Sequence, residues 1–181
     1  MLFHIGSFFQ LFKMAVAGTE KEFTTGSINR AIFLLSIPMI LEMAMESLFA
    51  VVDIYFVSHL GINAITTVGL TESVLTLVYT VAMGLGMAAT AMIARRTGEK
   101  NPDAAAHAAM QSLYPGLLIS LLVSIAGIFF AKDILLVMGA AKEVADYGYV
   151  YTKILLGGNI VIILLFLING IFRGAGDAAL A

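Results

Sequence analysis

Three acidic side chains lie in the first strongly apolar stretch of the sequence, at 31–58. They are Glu42, Glu46 and Asp53. Helical residues advance about 100° each, so Glu46 lies about 40° and Asp53 about 20° around the helix from Glu42. Carboxylates inside a membrane segment serve as proton or cation sites. The shared stripe therefore predicts that at least one of the three carboxylates has such a role. The candidate proton or cation ligands are Asp53, on the grounds of the resemblance given below, and Glu46, and Glu42 is predicted to line a polar cavity.

The free energy of membrane insertion requires this acidic stripe to face away from lipid. Each acid near the bilayer centre costs about 2.5–3.5 kcal/mol, so three cost roughly 8–10 kcal/mol. Insertion of the apolar residues of the same stretch is favourable by only about 4–8 kcal/mol. The stripe is therefore expected to face a bundle interior or an aqueous cavity.

Pro38 lies one turn before Glu42 in the same stretch. Proline lacks an N–H group, so one helical hydrogen bond is lost and the helix can kink. A kink beside buried acids predicts a hinge at Pro38.

Further polar residues occur in the second and fourth apolar stretches. Thr76 and Tyr79 fall within about 40° of Glu72 on a helical wheel, and these three residues are predicted to line the cavity. The alternative for Thr76 is a hydroxyl bonded to a carbonyl of its own helix. Asn159 is also predicted to line the cavity, and both Asn159 and Asn169 require polar partners in a membrane bundle.

The residues typical of enzyme active sites are absent from the sequence. It contains no cysteine, no HExxH and no GxSxG motif. We predict no catalytic residue, no bound metal and no cofactor other than a coupling ion, H⁺ or Na⁺. The net charge of −2 offers no basic surface, so no nucleic-acid partner is expected.

Composition indicates the elements that position these residues. Of the 181 residues, 60% are hydrophobic and only 12% are charged, whereas soluble domains are about half apolar and a quarter charged. A membrane helix needs about 20 apolar residues. We predict an all-α polytopic membrane helix bundle, in contact with the lipid bilayer, with spans at about 31–58, 68–94, 105–131 and 147–173. Three tyrosines are predicted to form an interfacial aromatic belt: Tyr147, Tyr149 and Tyr151.

The distribution of Lys and Arg predicts a cytoplasmic N-terminus. Cytoplasmic segments of membrane proteins are enriched in both residues. With this orientation the inner segments carry Lys13, Lys21, Arg30, Arg95, Arg96, Lys100 and Arg173, and the outer segments carry only Lys132, Lys142 and Lys153.

Residues 1–27 are interpreted as a cytoplasmic or interfacial segment. Three interpretations of residues 1–13 stay open: a start assigned upstream of a true initiator at Met14, which we favour, a cleaved signal peptide, and an amphipathic anchor.

Six short motifs in the order of the chain resemble the N-terminal part of multidrug and toxic compound extrusion (MATE) transporters. The motifs are IPMI at 37–40, VDIYFVSHLG at 52–61, AITTVGL at 64–70, RRTGEKN at 95–101, LLVMGA at 135–140 and FRGAGD at 172–177. Ser58 stands where the family has glycine, and His59 where it has another basic or polar residue. The resemblance covers about residues 24–177.

The resemblance implies a twelve-helix antiporter of two six-helix lobes, of which residues 28–181 are part of the N-terminal lobe. Such proteins export organic, often cationic, compounds against an H⁺ or Na⁺ gradient across the plasma (inner) membrane. Asp53 matches the family's first-helix proton or cation site, whereas Glu42 and Glu46 are outside the general pattern. The implied partners are a small organic substrate and the remainder of the transporter.

Two alternatives remain open from the sequence. Related exporters carry lipid-linked precursors or polysaccharide units, but their cavities are more cationic than this acidic stripe predicts. The other alternative is a four-helix membrane scaffold without transport activity.

Overall fold

The computed structural model describes residues 12–16, 27–177 and 180. The predictions made for residues 1–11 and 17–26 therefore lie outside the described residues. Five long helices follow one another: α1 (Ile28–Ser58), α2 (Ile62–Gly98), α3 (Pro102–Val137), α4 (Lys142–Gly157) and α5 (Ile160–Ala175). No strand occurs in the described part of the chain.

Four helical segments are long and apolar enough to cross a membrane. They are Ile28–Ser58, Ile62–Gly98, Pro102–Val137 and Lys142–Ala175, the last of which joins α4 and α5. The predicted all-α class with four membrane helices is therefore confirmed.

The described residues belong to two compact units, and α1, α2, α3 and α5 each contribute to both. The first unit comprises residues up to Ser47, Gly86–Gln111 and the chain from Ile168, whereas the second comprises Leu48–Leu85 and Ser112–Leu167. Each unit therefore combines segments that are distant in sequence.

In the first unit, α2 ends and α3 begins in a short polar turn. Arg95 and Arg96 donate hydrogen bonds to Glu99 at 3.0 and 2.9 Å, and they hold the pKa of this carboxyl below its usual range. The Asn101 side chain accepts a bond from the Ala104 N–H at 3.0 Å, which caps α3. Pro102 is the first residue of α3, where a missing N–H costs nothing.

The first unit also contains a close contact between the backbones of α2 and α5. A Cβ atom built on Gly170 would lie 2.5 Å from the Gly86 carbonyl oxygen, and one on Gly174 would lie 2.8 Å from the Thr90 carbonyl oxygen. The Thr90 hydroxyl bonds the Gly170 carbonyl at 2.8 Å. Small residues let the backbones of membrane helices approach this closely. Since no hydrophobic force drives helix association in lipid, such close packing and interhelical hydrogen bonds stabilise the contact.

In the second unit, the fourth apolar stretch is interrupted where α4 ends and α5 begins. The interruption at Gly158 and Asn159 exposes carbonyl groups that have no water to bond inside a membrane. The Ser124 hydroxyl donates to the Gly157 carbonyl at 2.8 Å, and the Asn159 amide donates to the Leu156 carbonyl at 2.6 Å. The Ser124 hydroxyl thus gives the Gly157 carbonyl a partner, and the Asn159 side chain adds a donor to the Leu156 carbonyl, which also accepts the Asn159 backbone N–H at 3.4 Å.

We expect Gly170→Ala to destabilise the protein, because the new methyl group collides with the backbone of α2. Overpacking costs about 1–3 kcal/mol, against a helix-propensity gain of about 1 kcal/mol. Gly84→Ala is the matched control, since nothing lies within 4 Å of its added Cβ. Thermal unfolding in detergent measures both variants, and an equal melting temperature would contradict the close contact.

Ser124→Ala should lower the free energy of unfolding by about 1 kcal/mol, in the range of hydrogen bonds inside membrane proteins. The physical reason is that the Gly157 carbonyl and the Asn159 amide both lose a partner. Ser73→Ala is the control, because the Ser73 hydroxyl bonds the Gly69 carbonyl of its own helix. Unfolding in a denaturing detergent measures the free energy of unfolding of both variants. Equal values would show that Ser124 does not compensate the interruption between α4 and α5.

Candidate functional site

The second unit brings two carboxylates of neighbouring membrane helices together. Asp53 on α1 and Glu72 on α2 lie within electrostatic range of each other. The Tyr151 hydroxyl on α4 lies within range of both carboxylates and of Tyr79. We call Asp53, Glu72, Tyr79 and Tyr151 the carboxylate–tyrosine cluster.

The contact between α2 and α4 positions two members of this cluster. The hydroxyls of Thr71 and Thr152 form a hydrogen bond of 2.8 Å, and both residues are fully buried. Glu72 follows Thr71 in the chain, and Tyr151 precedes Thr152, so this bond brings the two helices together beside the cluster. Gly148 allows the approach, because a Cβ atom there would collide with Thr67.

The cluster is open to its surroundings, with aromatic rings next to the acids. Asp53 and Glu72 are exposed, Tyr151 is 36% exposed and Tyr79 is half-buried. The Tyr79 ring packs against Phe166 with centroids 6.2 Å apart. The named electrostatic effects come from acidic groups, because Asp53 acts on Glu72 and both carboxylates act on Tyr151.

Glu42 has a different environment, in the first unit. Its carboxylate accepts hydrogen bonds from the Arg173 guanidinium, with which it forms an ion pair, and from the Asn169 amide at 3.2 Å. The side chains of Glu42 and Arg173 are 36% and 25% exposed. The structure therefore places Glu42 in an ion pair between α1 and α5.

The remaining predicted site residues are not part of the carboxylate–tyrosine cluster. Glu46 belongs to the first unit, where it is exposed, and Pro38 lies inside α1, which continues through it. The Thr76 hydroxyl bonds the Glu72 carbonyl of its own helix at 2.9 Å, which is the alternative considered above.

Asn159 is fully buried in a contact between helices. In addition to the Leu156 bond, its amide donates to the Ser124 hydroxyl at 2.9 Å and to the Ser120 carbonyl at 3.2 Å. The structure therefore places Asn159 in the packing of α3 against the interruption between α4 and α5.

Sequence reasoning missed the positions of Tyr151, Asn169 and Arg173. The sequence pattern predicts Tyr151 to be one of the belt tyrosines and Arg173 to lie in an inner segment. Their partners lie on other helices, and helical periodicity relates residues of one helix only. The one available signal was the requirement of Asn169 for a polar partner.

In the described residues, no three His, Cys, Asp or Glu side chains are grouped to hold a metal ion. Asp53 and Glu72 alone supply fewer oxygen ligands than a hard cation needs. A proton needs only one carboxylate, whereas a cation would require additional ligands.

Comparisons with known proteins agree with this arrangement of helices. The sequence model of the MatE family matches residues 38–181. The chain is 25% identical over 159 residues to the multidrug export protein MepA of Staphylococcus saprophyticus, covering 85% of this chain and 34% of MepA. It is 25% identical over 152 residues to the probable multidrug resistance protein NorM of Thermotoga maritima, covering 83% and 32%.

A solved transporter of the MOP superfamily from Pyrococcus furiosus superposes on the chain with a TM-score of 0.79 and 33% sequence identity. The superposition covers 86% of this chain and 34% of that structure. The chain therefore spans about a third of the length of the relatives that it matches. Since the MatE match extends over most of its residues, the chain belongs to the MATE family of multidrug efflux transporters.

Proposed function

We propose that this chain is part of an ion-coupled antiporter that exports organic, cationic compounds, with H⁺ or Na⁺ as the coupling ion. The observation that carries the proposal is the pair of carboxylates, Asp53 and Glu72, which lie on two membrane helices within electrostatic range of each other. The relatives named as multidrug export and multidrug resistance proteins support it.

Electrostatics explains how such a cluster exchanges a coupling ion for an organic substrate. Two like charges in a membrane segment repel each other, and each is costly without compensation. A proton, a cation or a positively charged organic molecule removes this cost. Because each of them neutralises the same carboxylates, binding of the ion displaces the substrate, and the reverse also holds.

The exchange becomes transport if the two conformations of the lobe differ in their affinity for the ion. Neutralising Asp53 removes the repulsion between α1 and α2 and favours a conformation in which the two helices are closer. Pro38 is the proposed hinge of α1, because its missing N–H weakens the helix on the N-terminal side of Asp53.

The two tyrosines of the cluster supply the substrate preference. Cations bind over aromatic rings, and the attraction is stronger where water is excluded. Tyr151 lies within electrostatic range of both carboxylates and of Tyr79, so the two rings are proposed to bind a flat organic cation. The same negative charge disfavours anionic lipid-linked cargo.

The proposed location is the plasma (inner) membrane, with a cytoplasmic N-terminus. The four apolar helical segments support a multi-pass arrangement. The excess of Lys and Arg on alternate connecting segments supports the orientation.

Asp53→Asn in the intact transporter should reduce ion-coupled efflux about tenfold or more. The variant removes a charge whose attraction for a cation at about 4 Å is worth about 1–4 kcal/mol. Asp103→Asn is the control, because Asp103 is exposed in the first turn of α3. Fluorescent-cation efflux from proteoliposomes with an imposed ion gradient measures the effect, and unchanged efflux in the Asp53 variant would remove this mechanism.

Tyr151→Ala should weaken binding of an aromatic cation about three- to thirtyfold, the range of a cation–π contact of about 0.5–2 kcal/mol. Binding of the coupling ion should change little, because both carboxylates remain. Tyr147→Ala is the matched control on the same helix, where Tyr147 is exposed. Fluorescence titration with the cation gives the dissociation constants, and equal constants for the two variants would exclude Tyr151 from the substrate site.

A further inference from the structure

Phe166 on α5 lies in the second unit and packs against one member of the carboxylate–tyrosine cluster. Its ring and the Tyr79 ring of α2 have centroids 6.2 Å apart, and the ring planes are inclined at 57° to each other. Aromatic rings attract each other at centroid distances of about 4.5–7 Å when they are not stacked face to face. The contact therefore holds Phe166 and Tyr79 together, and we call these two residues the aromatic pair.

The packing of α5 against α3, within the same unit, determines which side of α5 carries Phe166. Ile163 and Leu167 are fully buried. A Cβ atom built on Gly116 of α3 would collide with Leu167 and would lie 3.2 Å from Ile163 Cγ2. Phe166 lies about 100° around the helix from Leu167. Its neighbours thus pack on α3, whereas its own ring contacts α2.

Tyr79 connects the aromatic pair to the acidic groups. It lies within electrostatic range of Tyr151, and Tyr151 lies within range of Asp53 and Glu72. The structure thus relates carboxylates of α1 and α2 to aromatic rings of α2, α4 and α5. The Phe166 side chain has no polar atom, so it can offer a ligand only apolar and ring contacts.

We propose that Phe166, together with Tyr79, makes this site select cations whose aromatic rings extend beyond the charged atom. The charged end of such a substrate lies at the carboxylates, and its uncharged rings contact the aromatic pair. The inference rests on the proposed function, because it takes the carboxylate–tyrosine cluster as the substrate site.

The chemistry of the two kinds of group gives the physical reason for this selection. Carboxylates and tyrosine rings attract the positive charge of any organic cation, whether it is small or large. An apolar ring contributes in proportion to the apolar area that it removes from water, and it stacks on other aromatic rings. Phe166 therefore favours a large aromatic cation over a small one of equal charge.

Two probe cations separate the effect of the rings from the effect of the charge. N-methylpyridinium has one ring and N-methylacridinium has three fused rings, but both carry the same methylated, positively charged ring nitrogen. Fluorescence titration of the intact transporter in detergent gives the dissociation constant of N-methylacridinium. Its displacement gives the dissociation constant of N-methylpyridinium, and the ratio of the two constants measures the selectivity.

The variants remove or retain the ring of Phe166. Phe166→Leu keeps an apolar side chain without a ring, and Phe166→Tyr keeps the ring. Phe172→Leu is the matched control, since Phe172 lies on the same helix but about 120° around it from Phe166. The melting temperature in detergent shows that each variant is folded. Phe166→Met replaces the leucine variant if the melting temperature of that variant falls, because methionine fills irregular space more readily.

We expect Phe166→Leu to weaken binding of N-methylacridinium about two- to tenfold and binding of N-methylpyridinium by less than about twofold. Phe166→Tyr should restore the selectivity, and Phe172→Leu should leave it unchanged. Equal weakening of both probes by Phe166→Leu would overturn the proposal, since a merely structural role predicts that result. An unchanged selectivity would overturn it as well, as would a tyrosine variant that fails to restore it.

A double-mutant cycle tests whether the two rings act as a pair. Tyr79→Leu combined with Phe166→Leu should weaken N-methylacridinium binding by less than the product of the two single effects, because the loss of either ring already breaks the contact. Strictly multiplicative effects would show two independent ring contacts and would overturn the joint action of Phe166 and Tyr79.

Failure of this inference and failure of the proposed function give different results. If Asp53→Asn abolishes coupled efflux while Phe166→Leu leaves the selectivity unchanged, the proposed function stands and the role of Phe166 is wrong. If Asp53→Asn retains coupled efflux while Phe166→Leu lowers the selectivity, the aromatic pair binds substrate and the coupling ion binds elsewhere.

Discussion

A carboxylate in a hydrocarbon environment must be compensated by a partner, a proton or water, and this requirement organises the described structure. Two solutions occur along α1. Glu42 is compensated within the protein by Arg173 and Asn169, whereas Asp53 lies within electrostatic range of a second acid, Glu72. A compensated carboxylate is suited to holding helices in place, and an uncompensated one is suited to binding something that comes and goes.

The same constraint applies to the backbone. Where the fourth apolar stretch is interrupted, Ser124 and Asn159 satisfy the carbonyls that a continuous helix would have satisfied. The Thr71–Thr152 bond and the close approach at Gly148 hold α2 and α4 together beside Glu72 and Tyr151. Polar atoms inside the spans thus serve two purposes, to complete the backbone and to position the charged site.

The sequence by itself determined the fold class, the four membrane spans and the alignment of Glu42, Glu46 and Asp53 on one stripe. Hydrophobicity and helical periodicity are local properties, so they can be read from neighbouring residues. The ordered motifs likewise indicated the MATE family, which the comparison confirmed.

Only the tertiary structure decided which acids have partners. Glu42 and Arg173 are 131 residues apart in the chain, and Tyr151 reaches Asp53 and Glu72 from another helix. Asn159, similarly, bonds to Ser120 and Ser124 of α3. The rotation and approach of neighbouring helices set these contacts, and the periodicity of one helix contains no information about the position of the next.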